Sequence, residues 1–131
     1  MSSPEVGRTV VHRRYVSYAE AHYAGRLVDG AWGLGLFGDA ATEMCVCTDG
    51  DEGLFAAYSD VQFLAPVRAG DVVEASATLV RAGARSREMA FELRVVARGE
   101  QGGAESAAAV LDVPIIATRA TGTVVVPLLE R

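Results

Sequence analysis

Two acidic side chains, those of Asp39 and Glu43, carry the strongest chemical signal in the 131-residue sequence. They are four residues apart near the end of a mostly apolar segment, so they would be neighbours on one face of a helix. Two carboxyl groups in a partly dry site repel each other, which favours one protonated and one ionised group. Such a pair suits proton abstraction and return. The other interpretation is that the last turns of the helix emerge into solvent, where acidic side chains are ordinary.

A second kind of candidate lies before and at the start of this segment. His22 and Tyr23 precede it, although a lone histidine in a loop is most often structural. Asp29, next to Gly30, is typical of a helix N-cap. The glycine-rich start of the helix offers free backbone N–H groups and the positive end of the helix dipole. Such a site can polarise a thioester carbonyl in the manner of an oxyanion hole.

Three further sets of side chains are weaker candidates. By parity, Tyr58 and Asp60 lie on one face of a later strand, where Tyr58 either belongs to the core or places its hydroxyl in a cleft. His12 is expected to be an ordinary strand residue. All 12 basic residues are arginines. Some could bind the phosphates of a phosphorylated carrier, although each is more typical of a solvated surface charge: Arg13, Arg14, Arg26, Arg81, Arg85 and Arg87.

The elements that must position these side chains follow from the spacing of apolar residues. A first strand is predicted over 10–15, and the apolar stretch 28–46 repeats at helical spacing. After a turn signal at 49–51 the pattern changes to strands, and residues 72–80 and 89–95 alternate as half-buried antiparallel strands do. The remaining predictions are a strand over 54–64, a turn over 81–86, a loop over 99–109, and a last strand or pair over 110–126 with a break or bulge at Pro114.

The predicted helix is apolar on most sides and contains four glycines, Gly30, Gly33, Gly35 and Gly38. Each costs a helix about 0.8–1 kcal/mol relative to alanine, and glycines in a buried helix let other backbone or a ligand come close. A helix this apolar needs a sheet wrapped round it. The order of elements therefore predicts one α+β domain over 1–131 with the hotdog fold. In that fold an antiparallel sheet of five or six strands wraps around one long central helix.

Such a unit leaves a sheet edge and a helix flank open. We therefore expect at least a homodimer. A hexamer built as a trimer of dimers would also contain this dimer. Residues 1–7 are expected to be disordered.

Composition and charge exclude several classes of protein. The net charge of −5 argues against a general nucleic-acid binder. No apolar run reaches the roughly 18 residues that span a bilayer, and the N-terminus lacks the apolar core of a secretory signal. Cys45 and Cys47 have neither redox spacing nor a second pair to build a zinc site, so we expect reduced cysteines, no metal and a cytoplasmic protein. Nothing resembles a P-loop, a dinucleotide fingerprint or a G-x-S-x-G elbow.

Four segments taken together resemble a known family. They are AHYAGRLVDG at 21–30, GDAATEM at 38–44, TDGDEGLFAAYSDVQFLAPVRAGDVVE at 48–74 and RATGTVVVP at 119–127. Joined, HY-x-G-x-LV-x-G, GD-x-x-TE and DGD resemble the β-aminoacyl-CoA ammonia-lyases of the hotdog superfamily, which act on β-alanyl-CoA or 3-aminobutyryl-CoA. FLAPVRAGD alone resembles a stretch of many hotdog thioesterases. The resemblance covers about residues 9–127.

The resemblance implies reversible elimination of ammonia from 3-aminobutyryl-CoA or β-alanyl-CoA, which gives crotonyl-CoA or acryloyl-CoA. In that chemistry Glu43 is the first choice for the base that takes the α-proton. Asp39 would hold the substrate ammonium or move the proton to the departing amine, and the spacing leaves this division of roles open. Backbone N–H groups around 29–32 would hold the enolate oxygen. No metal or organic cofactor is required, since coenzyme A is part of the substrate.

Two sets of residues are candidates for binding the substrate in that reaction. Some of them could come from a partner subunit. Those for the acyl part are His22, Tyr23, Asp29, Gly30, Trp32 and Tyr58, and those for the CoA phosphates are Arg81, Arg85 and Arg87.

Two other activities remain open. A hotdog thioesterase for acyl-CoA or acyl carrier protein would use a helix carboxylate to activate water. An enoyl-CoA hydratase would use a similar carboxylate, although the hydratase motif D-x-N-P-x-H is absent from the sequence. The sequence also leaves open the β-substituent, the direction of the reaction, and whether the thioester is carried by CoA or by a protein.

Overall fold

One long helix packed against an antiparallel sheet forms the body of the protein. The structure is a computed structural model that describes residues 4–100 and 102–128. Its helix, α1, spans Gly30–Asp49 and has 20 residues. The strands are β1 (Thr9–Tyr15), β2 (Ala21–Tyr23), β3 (Leu27–Val28), β4 (Leu54–Phe63), β5 (Val67–Arg68), β6 (Val72–Ala82), β7 (Ser86–Gly99) and β8 (Ala108–Val125).

The main sheet has five strands in the order β1-β6-β7-β8-β4, and its paired strands are all antiparallel. This confirms the predicted hotdog architecture. A second sheet of three short strands, β2-β3-β5, lies beside the start of the helix and was not predicted. Its strands have only two or three residues each, which is too short for an alternating pattern to show.

Alternation along the central strands builds the core as predicted. In β6 the side chains of Val73, Ala75, Ala77 and Leu79 are all buried, and in β7 those of Met89, Phe91, Leu93 and Val95 are buried too. They pack with the buried face of α1, which includes Phe37, Ala40 and Met44. The stretch between β7 and β8 lies within the loop predicted over 99–109, and both ends of that prediction belong to strands. β8 is one long strand with a register shift opposite Val95 and Ala97.

The helix glycines fall into two groups. A Cβ on Gly30 would lie 2.3 Å from the Phe63 ring, and one on Gly33 would lie 2.9 Å from Leu93, so these two glycines allow close packing against the sheet. Gly35 and Gly38 have open space where a Cβ would be. The prediction of a helix buried on most sides is therefore wrong for one face, along which Ala31, Gly35, Asp39, Thr42 and Val46 are exposed.

A bulge in β4 overturns the prediction that Tyr58 and Asp60 share a face. The register with β8 shifts between Ser59 and Gln62, and Asp60 has a φ of 51°. Tyr58 faces the helix, whereas Asp60 lines a groove on the opposite surface of the sheet with Gln62. The bulge adds one residue to the strand and moves the following side chains to the other face, so residues of the same parity no longer share a face.

Gly7, which was expected to be disordered, contacts the sheet. The N–H of Gly7 donates to the carbonyl of Leu79 at 2.8 Å, so the sheet contacts begin before β1. Residues 1–3, which were also expected to be disordered, lie outside the described residues.

A buried ion pair fixes the far end of α1. The Arg87 guanidinium donates to both carboxylate oxygens of Asp49, at 2.7 and 3.0 Å, and also to the carbonyls of Gly83 and Ser86. Burial alone would raise the pKa of Asp49, but hydrogen bonds from Arg87 and Thr48, together with the Arg87 charge, outweigh burial and lower this pKa below its ordinary value. The pair joins the helix to β7 and to the turn before it.

We expect Asp49→Asn to lower the free energy of unfolding at neutral pH by about 3 kcal/mol, because Arg87 stays buried without its carboxylate. The stabilisation by the ionised carboxylate is fully present above the ordinary Asp pKa of 3.8 and is lost as the pH falls through the lowered pKa of the folded state. Urea unfolding at fixed protein concentration should show this acid-dependent loss in the wild type and in a Glu52→Gln control. An Asp49→Asn variant with the same acid-dependent loss as the wild type would contradict the assignment.

Candidate active site

A cavity of about 240 Å³ opens at the first turn of α1. Its walls come from the helix start, from the segment that follows β4, and from β7 and β8. Three predicted residues, Asp29, Gly30 and Trp32, line it together, and Thr118 lines it from β8. The cavity therefore lies where the sequence predicted a site for a carbonyl oxygen.

The N-cap limits which backbone groups are free at this cavity. The Asp29 carboxylate accepts a hydrogen bond from the N–H of Trp32 at 2.9 Å, as predicted for an N-cap. Since the N–H groups of a first helical turn have no partner within the helix, those of Gly30 and Ala31 can still donate to a ligand. The site predicted at 29–32 for the enolate oxygen therefore offers two free backbone N–H donors.

One wall of the cavity is fixed by a buried carboxylate. Asp71 is 1% exposed and accepts two hydrogen bonds from Arg98, at 2.9 and 3.0 Å, and one from the backbone N–H of Arg68 at 2.8 Å. Arg98 also donates to the carbonyl of Pro66, a lining residue. This network ties Pro66 and β5, which line the cavity, to Arg98 on β7.

Asp39 and Glu43 lie on the exposed face of α1, two and three turns past the cavity. At 1.5 Å per residue they are about 14 and about 20 Å along the helix axis from Gly30. Carboxylate side chains of this size extend only a few ångströms back toward the N-terminus. Within one chain, therefore, these carboxylates and the free N–H groups cannot contact the same small group.

Glu43 has a partner that the sequence analysis missed. Nε2 of His12, on β1, lies 2.7 Å from Oε1 of Glu43, and the side chains are 14% and 53% exposed. Nδ1 of His12 is buried without a hydrogen-bond partner in the described structure. His12 is therefore not an ordinary strand residue. Val10, two residues earlier, is buried, and this alternation was the signal that could have placed His12 on the sheet face that packs against the helix.

Tyr58 reaches the helix from the edge strand β4. Its hydroxyl donates to the carbonyl of Leu34 at 2.6 Å, and its ring packs against Phe55 and Phe91. Burial, with a smaller contribution from the charge of Asp39, raises the pKa of Tyr58 to about 12. Of its two predicted roles, these contacts favour the core.

His22 and Tyr23 lie at the other end of the helix from Glu43. Both are exposed, and their rings contact edge to face at 4.8 Å. They belong to β2, which pairs with β3 directly before the helix. Within one chain, His22 and Tyr23 therefore lie near the start of α1, where the cavity is, and not near Asp39 and Glu43.

The three arginines predicted to bind CoA phosphates differ in exposure and in the contacts that their side chains already make. Arg87 is committed to Asp49 and its side chain is 7% exposed, so the structure argues against a phosphate-binding role for it. Arg81 and Arg85 are exposed near the end of the helix that is remote from the cavity. Next to the small sheet, Arg26 and Arg68 line an open cavity of about 490 Å³, and the sequence analysis did not single out Arg68.

The buried Cys45 thiol adds no nucleophile to this site. Burial, followed by the charge of Asp49, raises the pKa of the Cys45 thiol to about 11, which makes it a poor nucleophile. Within residues 4–100 and 102–128, no cluster of three or more His, Cys, Asp or Glu side chains could hold a metal ion. In the same part of the chain, no helix is long and apolar enough to cross a membrane.

Comparisons with known proteins identify relatives of the chain. A family model described as the thioesterase superfamily matches residues 27–101. A relative from Acetoanaerobium sticklandii named 3-aminobutyryl-CoA ammonia lyase is 51% identical over 112 residues, which are 86% of this chain and 89% of that protein.

Solved structures give the same picture. The β-alanyl-CoA:ammonia lyase from Clostridium propionicum superimposes with a TM-score of 0.88 at 35% identity, over 93% of this chain and 87% of that one. A hexameric hotdog fold thioesterase of Campylobacter jejuni superimposes with a TM-score of 0.73 at 18% identity, over 92% of this chain and 82% of that one. The second likeness shows a common fold alone.

We expect Asp29→Ala to lower the free energy of unfolding by about 1 kcal/mol, because the N–H of Trp32 loses its acceptor. Asp29→Ser should stay close to the wild type, since a serine hydroxyl can accept the same hydrogen bond. Thermal unfolding of the three proteins at one concentration tests this. If serine destabilised the protein as much as alanine does, the charge of Asp29 and not its capping bond would be what stabilises the helix start.

Proposed function

The chain belongs to the thioesterase superfamily and, within it, to the β-aminoacyl-CoA ammonia lyases. On that basis we propose that it is a carbon–nitrogen lyase that reversibly eliminates ammonia from a β-aminoacyl-CoA. The substrate would be 3-aminobutyryl-CoA or β-alanyl-CoA, and the product crotonyl-CoA or acryloyl-CoA.

The observation that carries the proposal is 51% identity to a 3-aminobutyryl-CoA ammonia lyase over 86% of the chain. The fold alone would not distinguish a lyase from a thioesterase, because one scaffold supports several activities. The paired carboxylates are consistent with the lyase, since an amine-bearing substrate presents a positive charge that a thioesterase substrate lacks.

Glu43 is the proposed base. The thioester makes the α-proton acidic, and a carboxylate oxygen of Glu43 takes it. The electron pair of the broken C–H bond forms the double bond as the C–N bond breaks and ammonia leaves with the C–N electron pair. Glu43 is suited to this step because Oε1 is bound by His12 while the side chain remains 53% exposed, which leaves Oε2 for the substrate.

Asp39 is the proposed partner of the amine. It lies one turn before Glu43 on the same exposed helix face, so one substrate can contact both carboxylates. Its negative charge would hold the substrate ammonium and carry the proton taken from the α-carbon to the departing ammonia. The proton transfers use these two carboxylates, and we propose that the reaction needs no metal or organic cofactor, since coenzyme A is part of the substrate.

The proposed site combines two copies of the chain. The α-carbon is bonded to the thioester carbonyl, so the base and the donors that stabilise the enolate oxygen must lie within a few ångströms of each other. In one chain, Glu43 and the N–H groups of Gly30 and Ala31 are about 20 Å apart along the helix. We therefore infer that the carboxylates of one protomer face the helix N-terminus of its partner, with His22 and Tyr23 of that partner beside it.

The assembly is then at least a homodimer, and a hexamer built as a trimer of dimers is compatible with it. The exposed apolar side chains of Leu54 and Phe63 on the edge strand β4 are available for such contacts. We place the enzyme in the cytoplasm, where acyl-CoA substrates and reduced cysteines are found together.

The CoA phosphates have two candidate sites. Arg81 and Arg85 would serve a substrate that enters near the carboxylate end of α1. Arg26 and Arg68 would serve one that enters beside the helix start, where their cavity adjoins the wall formed by Val67. The second arrangement places two guanidinium groups in a recess that Glu100 and Glu105 also line.

The activity is tested with crotonyl-CoA and acryloyl-CoA, each with and without ammonium. Loss of enoyl absorbance and release of free thiol are followed together, and products are identified by mass spectrometry. The proposal predicts a β-aminoacyl-CoA that forms only with ammonium and keeps its thioester. Thiol release independent of ammonium would instead show a thioesterase, and a β-hydroxyacyl-CoA would show a hydratase.

We expect Glu43→Gln to lower kcat by about 1,000-fold while the protein stays folded, because the amide cannot accept the α-proton. Asp39→Asn should raise KM for the β-aminoacyl-CoA more than it weakens binding of an acyl-CoA without the amine. A Glu52→Gln variant, at an exposed position between α1 and β4, serves as the charge-matched control. Full activity of Glu43→Gln would remove Glu43 as the base, and unchanged KM in Asp39→Asn would remove Asp39 from amine recognition.

A further inference from the structure

The His12–Glu43 contact joins the helix to the outermost strand of the main sheet. His12 lies opposite Ala75 in the β1–β6 register, and Val10, two residues earlier, lies opposite Ala77. These three neighbours are all buried, so His12 occupies a position that the core pattern would assign to an apolar side chain. A histidine at such a position carries a cost in desolvation unless its ring nitrogens are used.

The surroundings of the ring indicate which nitrogen carries the proton. Nε2 faces Oε1 of Glu43 at 2.7 Å, whereas Nδ1 is buried with no partner among the described residues. A buried N–H without an acceptor is rarer and costlier than a buried lone pair without a donor. The favoured form is therefore the neutral imidazole with its proton on Nε2, which is donated to the Glu43 carboxylate.

Resting on the proposed role of Glu43 as the base, we propose that His12 is a positioning residue that orients this carboxylate for α-proton transfer. The hydrogen bond fixes Oε1 and leaves Oε2 directed outward. A neutral donor orients the carboxylate without cancelling its charge, so Glu43 keeps its ability to accept a proton.

The same bond serves both states of the base. When Oε2 of Glu43 has taken the α-proton, Oε1 is the carbonyl oxygen of a carboxylic acid and still accepts from Nε2 of His12. His12 therefore neither gains nor loses a proton in the reaction. A flexible glutamate would otherwise have to be ordered in each turnover, and the rotamer entropy of that side chain is among the larger ones.

Two substitutions separate orientation from packing. His12→Leu keeps an apolar side chain of similar bulk and removes the donor. His12→Gln keeps an N–H donor near the position of Nε2. We expect His12→Leu to lower kcat roughly 10- to 100-fold with little change in KM, since misplacement of a reacting group by about 1 Å has effects of this size. His12→Gln should recover most of the loss.

Two further variants complete the kinetic experiment. Val10→Ala weakens packing of the same strand face without touching a donor and should leave kcat near the wild-type value. In a Glu43→Gln background His12→Leu should have no further effect on the residual rate, because the oriented carboxylate is already absent. Equal kcat for His12→Leu and wild type would overturn the proposal, and so would equal losses in His12→Leu and His12→Gln.

The histidine protonation state gives a readout that does not depend on activity. In ¹⁵N-histidine-labelled protein at neutral pH, Nε2 of His12 should resonate as a protonated nitrogen and Nδ1 as an unprotonated one, and the Nε2 signal should shift in Glu43→Gln. Two protonated nitrogens would contradict the neutral donor. If the wild type itself forms no β-aminoacyl-CoA, the proposed function fails, and that result is distinct from either failure of His12.

Discussion

The length and fixed position of α1 constrain every account of this site. At its start, Gly30 lets the helix lie directly against Phe63, and at its end Asp49 is bound by the buried Arg87. Sliding or tilting a helix does not change the distance between residues on that same helix, which is set by the rise per residue. The free N–H groups of its first turn and the carboxylate of Glu43 therefore stay about 20 Å apart. A reaction that needs both requires two copies of the chain.

Acidic side chains in this protein separate into two classes by how they are bound. Asp71 and Asp49 are 1% and 12% exposed at the side chain, and each is bound by two donors of a single arginine. Ion pairs of this kind add little net stability but fix geometry, since breaking them leaves a buried charge. Glu43 is 53% exposed and is bound through one oxygen by the ring of His12. The proposed role of Glu43 as the base rests on that difference, whereas the other two acids shape the scaffold.

Much of the fold was predictable because it follows local rules. Alternation over 72–80 and 89–95 and the apolar stretch 28–46 identified the main strands and the helix, and Asp29 was predicted as its cap. The small sheet was not predictable, since two or three residues carry no period. The bulge at Asp60 was missed because nothing in the strand pattern marks an inserted residue.

The site was predictable only in part, for a related reason. The spacing of Asp39 and Glu43 placed them on one helix face, but their common exposure depends on which face the sheet covers. The roles of Arg87 and His12 depend on partners 38 and 31 residues away in the chain, so they follow from the tertiary structure. The distance between the start of the helix and the carboxylates, by contrast, could be predicted from the number of helical residues between them.

Subunit hybrids test the shared site most directly. Ala31→Pro removes one N–H from the first turn, where proline is tolerated, and Ala31→Ser is the control that keeps this N–H. Ala31→Pro and Glu43→Gln should each be nearly inactive alone. After they are unfolded together and refolded as a mixture, dimers containing one of each would carry one intact site, and random pairing predicts recovery of about a quarter of the wild-type activity. A mixture as inactive as its two components would contradict a site shared between two copies.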